Sequence, residues 1–381
     1  MQKKLKFLVL SSMSVNASSG IIVSQIARAL AQAGEEVVFT GIGKEGAFFN
    51  PHFFYLRIPE FRFRIANALA ALIYNTYAVL FTKADVIFVS KPLLHSCLPV
   101  FLKKYSRVIR LLHMDDIEHG LWKGTILEGI MRLSEIFLVR YFDFIIVPTV
   151  GIKKYVLEEL KIPGEKVLFL RQGVNFSFFE NVSNALLQEK FKLGSKKVIV
   201  YAARLGQGSK GLNIIFRVFK KILEKRKQVI LLIIGGGPGF EYHKKVVREL
   251  EIQDNVIFVG SVPYEEVPKY LSLGDIAVNY LEDNFANRCK SNTKIRDYLA
   301  AGLPVVCNYI SNDLDAFREF VYTFPTGDLD EFERKLLEAI ERKDRSISLR
   351  AREYMKENWD WKEIANEFLT EFLERKKNLG S

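Results

Sequence analysis

Short apolar, β-branched runs alternate with longer stretches of helical spacing along almost the whole chain. "KFLVLSS" (6–12) reads as a strand, "IIVSQIARALAQAG" (21–34) as a helix stopped by Gly34, and "EVVFTG" (36–41) as the next strand. Strand signals recur at "DVIFVS" (85–90), "RVIRLLH" (107–113), "DFIIVPT" (143–149) and "KVLFL" (166–170), with helical segments between them. "RQGVNFSFF" (171–179) is irregular and reads as a domain boundary. A second series begins with "KKVIVYAA" (196–203) and a long helix over 211–226. "QVILLIIGGG" (228–237), "NVIFVG" (255–260), "DIAVNY" (275–280) and "LPVVCNY" (303–309) follow as strands. Apolar runs without alternation suit strands buried on both faces of a helix-covered parallel sheet. The pattern predicts an α/β protein of two doubly wound domains, 1–172 and 173–357, with ligands beyond the carboxyl ends of the strands. A chain of 381 residues is also too long for one core. The tail, 358–381, reads as an amphipathic helix with Trp361, Ile364, Phe368 and Phe372 on one side.

Charge changes the picture in the first half. Residues 1–172 hold 22 Lys and Arg against 14 Asp and Glu, most of the chain's net +11. Such a bias fits nucleic acid, an anionic membrane face or an acidic substrate. No zinc finger, RNA-recognition signature or basic tail is present, so nucleic acid is set aside. "HFFYLRIPEFRFRI" (52–65) interleaves arginines with aromatic and aliphatic residues and reads either as a membrane-facing segment or as an edge strand with solvated arginines. Residues 65–82 carry no charge, but Asn67, Asn75 and Thr76 interrupt them, and Ile65, Leu69, Leu72, Ile73 and Leu80 follow helical spacing. A buried or surface-lying helix is expected there, not a spanning one. The start of the chain reads as a strand and not as a signal peptide. Cys97, Cys289 and Cys307 are too few and scattered for a disulfide framework or a zinc site, which points to a reducing, cytoplasmic compartment.

Several segments carry candidate chemistry. "KSNTKIRDYLAAGLPVV" (290–306) sets Lys290, Ser291, Asn292, Thr293 and Lys294 before a helix, with Asp297 one turn on. Donors at a helix N-terminus suit an anion, and the acid suits a pair of hydroxyls. "YAARLGQGSKGLNII" (201–215) places Arg204 after a strand and Lys210 before a helix, a fork and a point charge suited to a diphosphate. "IIGGGPG" (233–239), with Gly236 and Gly237, is either a tight turn or a pocket wall. "SSMSVNASSG" (11–20) is a small, polar loop in which Gly20 lets a ligand near the backbone, or a simple N-cap. "GIGKEG" (41–46) follows the second strand and precedes no helix, so it is a loop and not a dinucleotide fingerprint. "LLHMDDIEH" (111–119) has the residue types of a metal site, but His113 fits better as a sugar-hydroxyl contact at a strand tip, with the acids capping the next helix.

Read in order, these pieces resemble a GT-B glycosyltransferase, closest to the retaining family 4 enzymes. The resemblance rests on the first loop with "ALAQAGEEVVF", on "RQGVNFSFF", "ARLGQGSKGL", "LLIIGGGPG" with "NVIFVGSVPYEEV", and "DYLAAGLPVV". It implies two Rossmann-like domains facing a cleft, an acceptor on the first, a nucleotide-diphosphate sugar on the second, and a last helix crossing back to the first domain. Arg204 and Lys210 would hold the diphosphate, Gly20 would lie by phosphate or sugar, and His113 would touch the sugar. No metal is expected, since the two cations would take its place. The family carries two glutamates eight residues apart before the "GLPVV" strand; the second falls on Asp297, the first on Cys289, which cannot do a carboxylate's work. "SNTKIRDY" (291–298) resembles a variant of that motif in which serine, threonine and backbone amides meet the phosphates, with Lys294 nearby. The expected activity is sugar transfer to a lipid-linked or cell-envelope acceptor, in the cytoplasm or at the inner membrane face. A nucleotide-sugar epimerase and a non-catalytic GT-B scaffold remain alternatives.

Overall fold

The computed structural model describes residues 4–44, 53–102, 108–122, 124–206, 210–341 and 346–378. The chain forms two compact units. Unit 1 comprises Met1–Gly173, Cys289–Ser291 and Trp361–Ser381; unit 2 comprises Val174–Arg288 and Asn292–Asp360.

Unit 1 is a parallel sheet of β1 (Lys6–Ser14), β2 (Glu36–Ile42), β3 (Phe53–Ile58), β4 (Val86–Ser90), β5 (Ile109–His113), β6 (Phe144–Val147) and β7 (Val167–Phe169), in the order β3-β2-β1-β4-β5-β6-β7. The order reverses between β1 and β4, the switch point of a doubly wound sheet. The ambiguous 52–65 stretch supplies the edge strand β3, paired with β2 from Val37↔Phe53 onward. β1 runs further into "SSMSVNASSG" than expected, because Ser14 still pairs with Ile42 and the Ser11 N–H donates to Thr40 Oγ1 at 3.1 Å. Gly41 and Ile42 of "GIGKEG" end β2, and Glu45 and Gly46 lie outside the described residues.

Strand alternation sorts the helices of unit 1. α1 (Ser18–Gln32) ends as expected at Gly34, whose φ of +101° suits a residue without a Cβ. α2 (Arg64–Phe81), α3 (Leu94–Phe101) and α4 (Ile126–Leu138) lie over the face carrying Leu8 and Leu10 of β1 and Ile87 and Val89 of β4. Among the described residues α2 is the one helix long and apolar enough to cross a membrane by length and composition. It lies on the sheet instead, and its buried Asn75 accepts from Thr40 Oγ1 at 2.7 Å.

Unit 2 has β8 (Lys197–Ala202), β9 (Val229–Ile234), β10 (Val256–Gly260), β11 (Ile276–Asn279), β12 (Val305–Tyr309) and β13 (Val321–Pro325), all parallel in the order β10-β9-β8-β11-β12-β13. Its switch point falls between β8 and β11. α5 (Lys210–Lys225) follows β8, and α6 (Thr293–Ala300) precedes β12. β13, absent from the sequence reading, is a short edge strand ending in a proline, which no long apolar run announces.

The last helix, α7 (Trp361–Lys377), belongs to unit 1. Trp361, Ile364, Phe368 and Phe372 are all buried. The Phe372 ring lies 6.3 Å from that of Phe7 and 6.0 Å from that of Phe144, on the sheet face opposite Leu8 and Leu10. Arg375 Nη1 donates to the Gly164 and Glu165 carbonyls at 3.1 and 3.2 Å. The boundary lies slightly later than the sequence suggested. Residues 358–360 stay in unit 2, where the Val174 N–H donates to the Trp359 carbonyl at 2.8 Å.

Phe372→Ala should lower the stability of unit 1 by about 3–5 kcal/mol, the usual cost of emptying a buried aromatic site. Urea unfolding measures this directly; an unchanged midpoint would remove α7 from the core.

Candidate functional site

The polar groups of unit 2 gather at the carboxyl edge of its sheet. α6 is anchored there by its own sequence. Tyr298, fully buried, accepts from the Ala202 N–H at 2.8 Å and so fastens the helix to the end of β8. The neighbouring Arg296 is also fully buried; its Nη2 donates to Asp313 Oδ1 at 2.6 Å, and its guanidinium lies 4.6 Å from the Trp359 ring and 5.6 Å from the Phe317 ring. The second oxygen of Asp313 accepts the Asn292 N–H at 2.8 Å, while Ser311 Oγ accepts the Asp313 N–H at 3.1 Å. One carboxylate thus fixes both the residue before α6 and a residue inside it.

With the helix pinned, its remaining side chains are set. Lys294 Nζ lies 5.1 Å from the ring centre of Tyr201 on β8. Asn292 is buried, and its side-chain nitrogen has no hydrogen-bond partner. Asp297 Oδ1 accepts from Tyr264 Oη at 2.9 Å. Burial pushes the Asp297 carboxyl up to about 7, against the opposing pull of the Tyr264 hydrogen bond and the Arg296 charge. The same burial, with Asp297 beside it, raises the Tyr264 hydroxyl well above its ordinary range and keeps it a donor.

Arg204 follows β8 with its side chain exposed, and Lys210 opens α5, also exposed. The Lys210 N–H donates to Glu282 Oε1 at 3.2 Å, so the anion that α5 meets is the chain's own carboxylate beyond β11. Sequence reasoning missed Glu282; its only signal was an acid just past a buried strand at the switch point. Residues 207–209 of the basic loop lie outside the described residues.

The glycines have packing reasons. A Cβ on Gly235 would meet the Ala203 carbonyl oxygen at 1.9 Å, one on Gly236 the Ser261 Oγ at 2.3 Å, and one on Gly237 the Leu205 carbonyl oxygen at 2.4 Å. They let the end of β9 pack against the 203–205 segment, where Leu205 N–H donates to the Gly236 carbonyl at 2.9 Å. Gly20 in unit 1 is similar: its missing Cβ would lie 1.9 Å from the Ser14 carbonyl oxygen, so the chain itself fills that space.

The expected clasp of 290–297 does not form one element. α6 starts at Thr293, and Lys290 and Ser291 group with unit 1 together with Cys289. Cys289 is buried in the core of that unit; its carbonyl accepts from Thr149 Oγ1 at 2.6 Å, and a Cβ on Gly151 would lie 2.8 Å from its Cα. A carboxylate in so tight and apolar a place would be strongly disfavoured. The position where the resemblance places an acid is here a packing position.

A second polar cluster occupies the carboxyl edge of unit 1. Lys91, directly after β4 and with φ of +71°, is buried. Its Nζ lies 3.2 Å from Asp115 and 3.5 Å from Asp116, and it donates to Glu118. Asp115 and Asp116 were expected to cap a helix, and the three acids by type could hold a metal ion. Instead they converge on an ammonium, because a lysine buried at a strand end requires counter-charges. Burial pushes Glu118 up to about 7, with Lys91 opposing it. His119 turns elsewhere, its Nδ1 2.7 Å from the buried Glu135. His113 ends β5 fully buried, 5.6 Å from the Phe88 ring, and neither ring nitrogen has a partner. Burial, aided by Lys91, lowers it to about 4, so the imidazole is neutral at physiological pH and able to donate or accept.

The family described as Glycosyl transferases group 1 matches residues 183–359, which contain the polar groups of unit 2. A GDP-mannose-dependent alpha-(1-6)-phosphatidylinositol monomannoside mannosyltransferase of Mycobacterium tuberculosis is 26% identical over 231 residues, covering 55% of this chain and 56% of that protein. An alpha-monoglucosyldiacylglycerol synthase of Streptococcus pneumoniae is 28% identical over 214 residues, covering 52% and 45%. The chain spans about half the length of the curated relatives it matches. Among solved structures, sucrose-phosphate synthase from Thermosynechococcus elongatus superposes with a TM-score of 0.79 at 16% identity over 100% of both chains. Anabaena HepE, in complex with UDP and glucose, superposes with a TM-score of 0.76 at 16% identity over 97% of this chain and 99% of that one. Residues 183–359 thus match the group 1 glycosyltransferases, and the two sheets of doubly wound order have the GT-B fold of these solved structures.

Proposed function

We propose that the protein transfers a sugar from a nucleotide-diphosphate sugar to a lipid-linked or envelope-glycan acceptor, with retention and without a metal, as a family 4 enzyme at the inner membrane face. The observation that carries this is the edge of unit 2. There one carboxyl, Asp297, is held by Tyr264 beside Lys294, at the ends of strands inside the matched region. The acceptor class is supported by the relatives, whose names specify a phosphatidylinositol mannoside and a diacylglycerol.

Each residue has a distinct task in this reading. Asp297 accepts from the ribose hydroxyls with the oxygen that Tyr264 leaves free. Asn292, Thr293 and Lys294 supply donors to the phosphates at the start of α6, with the buried Asn292 amide as one unsatisfied donor. Lys290 and Ser291 precede them in the motif and add a cation and a hydroxyl. Arg204 and Lys210 stabilise the diphosphate as the sugar–oxygen bond breaks and negative charge moves onto the leaving group. That leaving oxygen takes the acceptor's proton on the same face of the sugar. Neutral His113 hydrogen-bonds a sugar hydroxyl and carries no proton in the step. No nucleophile is assigned, because Cys289 is enclosed in the core.

Asp297→Ala should weaken donor binding about 10- to 100-fold by calorimetry, since hydrogen bonds to a charged group are worth about 1.5–3 kcal/mol each. Turnover with saturating donor should change less, because ribose contacts differ little between ground and transition state. Donor affinity should also rise with pH through about 7, as Asp297 ionises. Stability should move the other way. A folded-state pKa above the ordinary 3.8 means that the folded chain holds the extra proton between about 4 and 7, so stability falls as pH rises through that window. Asp297→Asn should therefore melt higher than the parent at pH 8 and equally near pH 4; identical curves at both would refute the assignment.

Arg204→Ala and Lys210→Ala should each reduce turnover by about 100-fold or more, the scale of losing a preorganised charge in the transition state. Unchanged rates with saturating donor would exclude them from the mechanism. Activity is expected to survive EDTA. Loss on chelation with recovery on adding Mg²⁺ or Mn²⁺ would overturn the metal-free reading. Donor binding without any turnover or hydrolysis would identify a non-catalytic scaffold instead.

A further inference from the structure

Three neighbouring helices of unit 1 turn rows of large apolar residues outward. On α2 the residues turned to the sheet include Ala70, Ala71, Ala78 and Val79, whereas Ile65, Leu69, Ile73 and Tyr77 are exposed at successive i, i+4 positions. α3 buries Ser96, Cys97, Pro99 and Val100 and exposes Leu94 and Leu98, with Leu102 continuing the row. α4 buries Ser134, Glu135 and Leu138 and exposes Ile126, Ile130, Leu133 and Phe137, with Tyr141 beyond it. Ile65 is 77% exposed and Ile126 89%. An ordinary surface helix turns its large aliphatic residues inward and its small or charged ones outward. Here rows of large aliphatic and aromatic residues face outward on three helices in a row.

The rows share one side of the sheet. α2 packs beside α3, and Ser134 of α4 donates to the Pro92 carbonyl just before α3 at 2.5 Å. The inward residues Ala78, Val79, Cys97, Val100 and Leu138 belong to one core cluster with Leu8 and Leu10. Most of the large exposed apolar side chains among the described residues lie on these helices. At roughly half of a large side chain apiece, the rows amount to on the order of 1,000 Å², more than the few hundred a monomer commonly leaves open.

Charge identifies the occupant. Arg62 and Arg64 stand at the start of α2, Lys83 follows its end, and Arg132 and Arg140 stand on and after α4, all exposed. Against them are Glu60 and Glu128, and the Glu128 carboxylate is engaged by the Gly124 N–H. A second copy of the chain would set this cationic border against itself. A surface with an apolar interior and anionic head groups complements both parts at once. We propose that the exposed face of α2, α3 and α4 lies on an anionic lipid bilayer, with the aliphatic rows in the head-group boundary and the five cations on lipid phosphates. The arginines of 57–64 are then part of the border, and the three helices supply the apolar contact. The inference rests on the reading above only for why a lipid surface is useful, and its test uses no substrate.

The full-length protein is floated with phosphatidylcholine vesicles, with and without phosphatidylglycerol, beside two variants, Leu69→Asp/Ile73→Asp and Arg62→Ala/Arg64→Ala. Circular dichroism and melting confirm folding, and sedimentation reports association state. The parent should bind phosphatidylglycerol vesicles at least about tenfold more tightly than phosphatidylcholine alone, and each variant about tenfold or more weaker than the parent. The arginine variant keeps the test decisive should the aspartates disturb folding. Absence of binding, equal binding to both vesicles, or variants that bind like the parent would each overturn the proposal. So would a dimer of the free protein that Leu69→Asp/Ile73→Asp disperses, which would assign the face to a second copy. Donor hydrolysis measured without vesicles judges the transferase reading separately.

Discussion

A parallel sheet covered on both faces offers polar side chains one habitable place, the ends of its strands. Both units obey that constraint, and the charged groups of both candidate sites follow from it. The strand interiors are closed apolar layers: Leu231, Leu232 and Ile233 of β9 are fully buried, as are Phe88 and Val89 of β4. A charge within them would have no water and no room for a partner. At the carboxyl edge the chain leaves the sheet, and loops can bring counter-charges and hydrogen bonds. Lys91 stands one residue past β4 and Asn279 ends β11, next to the two switch points.

Each unit then holds a buried cation near that edge, and each solves the desolvation problem differently. Lys91 is a compact ammonium and is met by three carboxylates. Arg296 has one carboxylate and two aromatic rings, a planar arrangement suited to a delocalised guanidinium. The second solution also has a consequence for geometry. Asp313 holds Arg296 with one oxygen and the Asn292 N–H with the other, so the start of α6 is fixed by a buried ion pair and not by exposed loop contacts. Breaking such a pair on one side leaves an uncompensated charge, which costs far more than the pair contributes as a whole. Residues 292–297 are therefore positioned by a buried carboxylate.

The alternation of strand and helix was legible because periodicity and glycine stops are local. Gly34 at the end of α1 and the buried side of α7 could be read from spacing alone. Strands that owe their existence to a neighbour were less so, an edge strand being only one of two readings of 52–65 and β13 not read at all. β3 alternates only weakly, and β13 is five residues long with a terminal proline. In the site, Asp297 was visible as an acid one turn into a helix, but its Tyr264 partner is 33 residues away in sequence. Lys91 gave no motif, and Asp115 and Asp116, with His113 and His119, had the residue types of a metal site because a lysine from another strand end is invisible to local spacing. Cys289 was legible as a departure from the family pattern; that the position is enclosed against Gly151 needed the fold.

The helices over the β1–β4 face show the limit of periodicity from the other side. Spacing identifies a row of large apolar residues, as it did for Ile65, Leu69, Ile73 and Leu80, but it does not say which way the row points. On α2 the opposite row of alanines decides the matter. Small side chains let the helix axis approach the sheet closely, and buried Asn75 and Thr40 hydrogen-bond to each other to fix its rotation. Turning the large row inward would bury more apolar area on folding, yet it would lift the helix off the sheet and strand Asn75 in the open. Retaining the buried polar pair while exposing the aliphatic row makes sense where that row finds an apolar environment outside the protein. Within unit 1 the large exposed apolar side chains thus lie on the helical flank, and the buried charged groups lie at the carboxyl edge of the sheet.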